Sequence, residues 1–100
     1  MDTLAAAAAF AALAQPTRLE ALRLLALAGS EGLTAGAVAD RLGVVSSTLS
    51  HHLGQLERAG LVRAHRRGRF VVYAAEPAGT RRLLDYLASA GNGGTEESAR

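Results

Sequence analysis

The chain of 100 residues has no cysteine. Disulfides, thiol redox switching and thiolate metal sites are excluded together by that absence. Lysine is missing as well, so all eleven basic residues are arginine. Arginine forks onto phosphates and guanine edges, although a GC-rich genome would leave the same bias. No apolar run is long enough to span a membrane. Residues 1–14, MDTLAAAAAFAALA, resemble a leader ending in Ala-Leu-Ala, yet Asp2 stands where a leader carries basic residues, and the first arginine is Arg18. Alanine is the best helix former, so a plain helix and a cytoplasmic location are expected. Paired carboxylates, a nucleophile–base set and a phosphate-binding loop are also wanting, which argues against an enzyme and implies no cofactor.

What is present fits one small domain, expected over residues 1–90, with a disordered polar tail, GNGGTEESAR, over 91–100. Apolar residues make up 49% of the chain, more than this size requires, so some apolar surface should face another subunit. The net charge of +2 conceals a division. Residues 1–40 carry two arginines and four acids, residues 41–82 eight arginines and two acids, and residues 83–100 one arginine and three acids. The positive charge is therefore concentrated in the middle of the chain, as a phosphate-binding surface needs.

Apolar spacing and punctuation predict the elements. A first helix covers residues 3–14 with Leu4, Phe10 and Leu13 among alanines. Pro16 suits the first position of a second helix. There Leu19, Leu22, Leu25 and Leu27 should face inward, with Arg18, Glu20 and Arg23 outside. Gly29 to Gly32 reads as a loop. Thr34 is a suitable cap for a short helix over Ala35–Leu42, and Gly43 ends it. Ser46 can cap the next helix, which runs to Ala59 with Gly60 as its terminal glycine. The two are separated by a helix-turn-helix spacing. Leu61–Ala64 and Phe70–Ala75 read as strands joined by a turn at Arg67-Gly68. Both faces of the second strand are apolar, so the base of this hairpin should be sandwiched. After a break at Glu76–Gly79, a last helix is expected over Thr80–Ala90. The fold class is thus mainly α with a small β-hairpin, in the order α-α-α-α-β-β-α.

The unit from Val44 to Tyr73, VVSSTLSHHLGQLERAGLVRAHRRGRFVVY, carries the functional signal. Leu49, Leu53 and Leu56 fall in one narrow sector of the helix and must pack on the domain. The opposite sector holds Ser47, Thr48, His51, Gln55 and Arg58, all able to hydrogen-bond with bases or phosphates. A merely solvated face would carry i, i+4 pairs of opposite charge instead. Ser47, Thr48, His51 and Gln55 are the candidate base-reading residues. Ser46, Arg58 and the hairpin-tip residues His65, Arg66, Arg67 and Arg69 are candidates for the DNA backbone. His51 and His52 point about 100° apart on a helix and do not converge on one metal ion.

LAQPTRLEALRLL, followed by VADRLGVVSSTLSHHLGQLERAGLVRAHRRGRFVVY, resembles the bacterial ArsR/SmtB family of winged-helix repressors. The resemblance covers roughly residues 10–87. It implies a homodimer joined through the first and last helices, with Leu4, Phe10, Leu83, Leu84 and Leu87 as its apolar candidates. It also implies double-stranded DNA as partner, two reading helices lying in successive major grooves, and release by an effector. The departures concern sensing. Arsenic-type members carry Cys-x-Cys where this chain has Thr34 and Gly36. In zinc-type members the last helix supplies Asp and His, but here Asp85 is followed by Leu87 and no histidine occurs after His65. Gly54 stands where Lys or Arg is frequent, and Gln15 where a better cap, Asp, is usual. Three routes to switching stay open: an apolar pocket between the terminal helices, a protein co-regulator, or a weak nickel or zinc site built on His65 and carboxylates. A winged helix kept for protein interaction alone is the competing reading, one that would not need the basic middle segment.

Overall fold

A computed structural model describes the backbone of residues 1–98 and the side-chain surroundings as far as Ser89. Among the described residues the chain forms α1 (Thr3–Leu13), α2 (Pro16–Ala28), a single 3-10 turn (Gly29–Glu31), β1 (Leu33–Thr34), α3 (Ala35–Leu42), α4 (Ser46–Arg58), β2 (Val62–Arg67), β3 (Phe70–Ala75) and α5 (Pro77–Ser98). None of these helices is long and apolar enough to cross a membrane.

Local chemistry starts the first three helices. Asp2 accepts from the backbone N–H of Ala5 at 2.8 Å, Gln15 from that of Arg18 at 2.9 Å, and Thr34 from that of Ala37 at 3.2 Å. Each bond satisfies a donor that the first helical turn would otherwise leave open. Gln15 is therefore a working cap: its longer side chain reaches the same N–H that an aspartate would. The core is made by Leu25, Leu49, Leu53, Leu56, Leu61 and Val38, all fully buried, with Ala6, Ala9 and Ala12 fitting α1 against it. Small residues on α1 let the helix approach closely, and each buried leucine contributes roughly 1.5–3 kcal/mol.

In α2 the inward set is Ala21, Leu22 and Leu25, not the four leucines expected. Leu27 is 83% exposed and Leu19 is also outside. Successive helical residues turn by 100°, so leucines at 19, 22, 25 and 27 span too wide an arc to be buried together.

The hairpin has company. β1 pairs with β3, Leu33 opposite Tyr73 and Thr34 opposite Val72, giving a three-stranded antiparallel sheet in the order β1-β3-β2. This strand, missing from the expected element order, is two residues long, and its pairing is set by tertiary contact rather than by any sequence period. Both faces at the base of the hairpin are buried, through Val62 on one side and Val72 and Ala74 on the other. The sandwich expected from the sequence is thus present. The turn falls at Gly68-Arg69, since Arg67 pairs with Phe70. Gly68 has φ +64°, the conformation that primed hairpin turns require of their first central residue.

α5 opens at Pro77, three residues before the expected Thr80, because a proline fits a first helical position. Its helical backbone continues to Ser98, past the Ala90 end and through much of the tail expected to be disordered. No proline stops the hydrogen-bond ladder there, although Gly91, Gly93 and Gly94 each weaken a helix by about 1 kcal/mol relative to alanine.

Candidate nucleic-acid interface

Two joints position α4 on the molecule. At its end, the N–H of Gly60 bonds to the carbonyl of Glu57 at 2.9 Å and that of Leu61 to Leu56 at 3.0 Å. This is the Schellman pattern, with Leu56 and Leu61 as its apolar pair, both buried. It turns the chain straight from α4 into β2. At its start, Leu49 donates to the carbonyl of Val45 at 3.0 Å, so the helix begins at Ser46 and Val45 takes the cap position. Ser46 is consequently the first helical residue and not the cap. Val44, just outside, packs on the core cluster that contains Leu49, the arrangement of a hydrophobic staple. The staple fixes the register, and no side chain caps α4. Such a cap is worth about 1 kcal/mol where it exists.

With its leucines turned inward, α4 presents Ser46, Ser47, Thr48, Ser50, His51 and Arg58 to the outside. Gln55 is drawn to the flank. It is half-buried and lines a cleft of about 450 Å³ with Ala8, Ala11, Arg18 and Arg58. Arg58 also reaches back along its own helix, and a Cβ placed on Gly54 would lie 3.9 Å from its guanidinium nitrogens. A cation thus lies beside the place where Gly54 leaves one out of the sequence. His51 is exposed and His52 half-buried, with ring centroids 6.0 Å apart. Burial, then the neighbouring Arg18 and His51 charges, lower the pKa of His52 below its ordinary value.

Arg66, Arg67 and Arg69 are exposed at the hairpin tip, while His65 is half-buried opposite Val72. Arg67 reaches Glu31 at 3.6 Å, a pair so exposed that it adds little stability. Arg63 is spent elsewhere: it bonds to Glu76 and to the carbonyl of Ala75, both at 3.3 Å, locking the base of the hairpin. So the basic middle of the sequence divides: among the described residues Arg63 and Arg67 have carboxylate partners, while Arg58, Arg66 and Arg69 have none.

A polar-faced helix running directly into a basic hairpin across a short three-stranded sheet is the winged helix-turn-helix arrangement. Residues 13–65 match the family described as a helix-turn-helix domain. The chain is 37% identical over 65 residues to the transcriptional repressor SdpR of Bacillus subtilis (strain 168), covering 65% of this chain and 69% of the relative. Its structure resembles that of an ArsR-like transcriptional regulator from Rhodococcus sp. RHA1, with a TM-score of 0.84, 31% identity, and coverage of 96% of this chain and 88% of the other. The chain belongs to the ArsR family of winged helix-turn-helix transcriptional regulators. A further structural relative is the homodimeric winged helix-turn-helix DNA-binding domain (fragment 1–100) of Mb0332 from Mycobacterium bovis, with a TM-score of 0.69, 29% identity, and coverage of 92% and 83%.

As an ArsR-family winged helix-turn-helix regulator, this chain is a DNA-binding protein, with α3–α4 as its helix-turn-helix and β2–β3 as its wing. At the positions where the resemblance would place metal ligands, the Thr34 hydroxyl is engaged in capping α3, Gly36 offers no side chain, and Leu87 is an exposed hydrocarbon. Among the described residues no three His, Asp or Glu side chains gather to hold an ion. An amphipathic cleft of about 490 Å³ does open, but between α2, α5 and the base of the wing, where Leu25, Ala75 and Leu84 meet Arg63 and Arg81.

Proposed function

We propose that this ArsR-family regulator acts as a homodimer that recognises a specific operator and responds to something other than the family's arsenic and zinc ligand sets. In this reading Ser47, Thr48 and His51 face base edges in the major groove, with Gln55 at the rim. Arg58, Arg66, Arg67 and Arg69, helped by Ser46 and His65, hold the phosphates on either side. The observation that carries it is the segregation on α4: three leucines buried to the last atom, and exposed hydroxyls, an imidazole and a guanidinium with Glu57 as the one acid on the helix.

Dimerisation is supported by the outer faces of the terminal helices. Thr3 and Tyr86 join α1 to α5 through a 2.7 Å hydroxyl contact, and beside that joint Leu4, Phe10, Leu84 and Leu87 are exposed. Leu83, expected among them, belongs to the monomer's own core, being 4% exposed while Leu84 is 62% exposed. One residue along a helix is a turn of 100°, enough to move a side chain from interface to interior.

Selection of bound duplexes from a random pool by the full chain, followed by gel shift at low salt, tests the reading. A shared motif with two half-sites about one helical turn apart is the expected outcome. Equal weak binding to every sequence would overturn it. Calorimetric titration with zinc and arsenite is expected to show no micromolar site.

A further inference from the structure

The helices α1, α2 and α3 all begin under a side-chain cap, from Asp2, Gln15 and Thr34. The helix that enters the groove does not. Its cap position holds Val45, a residue among the poorest for that role, and no side chain bonds to its first N–H groups. Nor is the valine recovered by burial, for Val45 is 68% exposed. Its neighbour Val44 already supplies the apolar contact that fixes the start of α4, so packing does not call for a second one. An apolar side chain therefore stands at the leading end of the reading helix, flanked by the exposed hydroxyls of Ser46, Ser47 and Thr48.

The major groove offers one apolar feature, the C5-methyl group of thymine, and apolar side chains read it by contact. We propose that Val45 is a specificity-determining residue that packs on a thymine methyl group in each half-site. This inference rests on α4 reading bases, as proposed above. The hydroxyls of Ser46 to Thr48 alone would find donors and acceptors at every base pair. Val45 adds the shape requirement that hydrogen bonding cannot supply, and it loses water-exposed hydrocarbon only when DNA is bound.

The test uses the selected operator, with each thymine of one half-site replaced singly by deoxyuridine, which removes the methyl and leaves base pairing unchanged. Binding is read by fluorescence anisotropy for the wild-type chain, V45S and V45I. At one position the wild type and V45I should bind the uracil duplex about fourfold more weakly, the worth of one methyl group. V45S should bind thymine and uracil duplexes alike. Serine is the better cap, so V45S should melt no lower than the wild type, which separates a recognition effect from unfolding. The inference is overturned if no thymine methyl matters to the wild type, or if the methyl effect persists undiminished in V45S. Failure of the selection to yield any motif would instead remove base reading by α4, and the inference with it.

Discussion

His52 lies on the packed flank of α4 with its Nδ1 buried and unpartnered, near Arg18 Nε in the same condition. Burial and two neighbouring cations favour the neutral ring. The folded chain therefore binds a proton at His52 less readily than the unfolded chain, whose histidine titrates near 6.5. Between the lowered folded value and 6.5 the unfolded state carries more protons, so stability falls as pH drops through that window. Thermal melts at pH 7.5 and pH 5.5 should show a lower midpoint in acid, and His52→Gln should narrow the difference. His51, exposed on the same helix, is one of the proposed base-reading residues. Its change to alanine should cost about 1–3 kcal/mol on the preferred operator and less on mismatched ones, flattening the preference. Arg67→Ala should act in the opposite manner, weakening every sequence alike and lowering the slope of log K against log salt by about 0.9. If Arg67→Ala left that slope unchanged, the tip would not be on a phosphate.

At the scale of elements, the joints matter more than the lengths. In the first turn of α5, a Cβ on Gly79 would run into the carbonyl oxygen of Gly60 and close on the Cα of Leu61. The end of the reading helix and the start of α5 are therefore backbone on backbone. Gly79→Ala should cost about 1–3 kcal/mol, seen as a lower midpoint in urea with an unchanged m-value. Much at this scale was legible in the sequence. Thr34, Pro16, Gly43 and the apolar strand around Tyr73 announce themselves through chemistry confined to a few neighbours. What was not legible depends on distant residues. The two-residue β1 exists because Tyr73 and Val72 come to meet it. The start of α4 is set by how Val44 meets the core, which overrode the better capping chemistry of Ser46. Leucine-rich α2 could be recognised as a helix but not oriented, because its apolar arc is wider than any one partner.

For the whole molecule, the same division applies to the candidate site. The exposed outer face of α4 and the exposed hairpin tip could be named in advance because exposure follows from which residues the core takes. The burial of Leu83 and the sideways placement of Gln55 required the packed structure. If the terminal helices join two copies, replacing Leu84 and Leu87 together by glutamate should give a folded monomer in sedimentation. Operator affinity should then fall by a hundredfold or more, since the second half-site no longer binds as part of the same molecule. Leu83→Ala should behave differently, lowering thermal stability by about 2–5 kcal/mol in the monomer itself.

The short strand β1 has a further consequence. Thr34 both pairs with Val72 in the wing and caps α3, the helix that precedes the reading helix. The wing is thus stitched to the helix-turn-helix at a second place besides its covalent link through Gly60. That second link couples the two parts, so the wing and α4 are expected to move together. In the dimer proposed above, release is then expected as a movement of one half against the other, which changes the distance between the two reading heads.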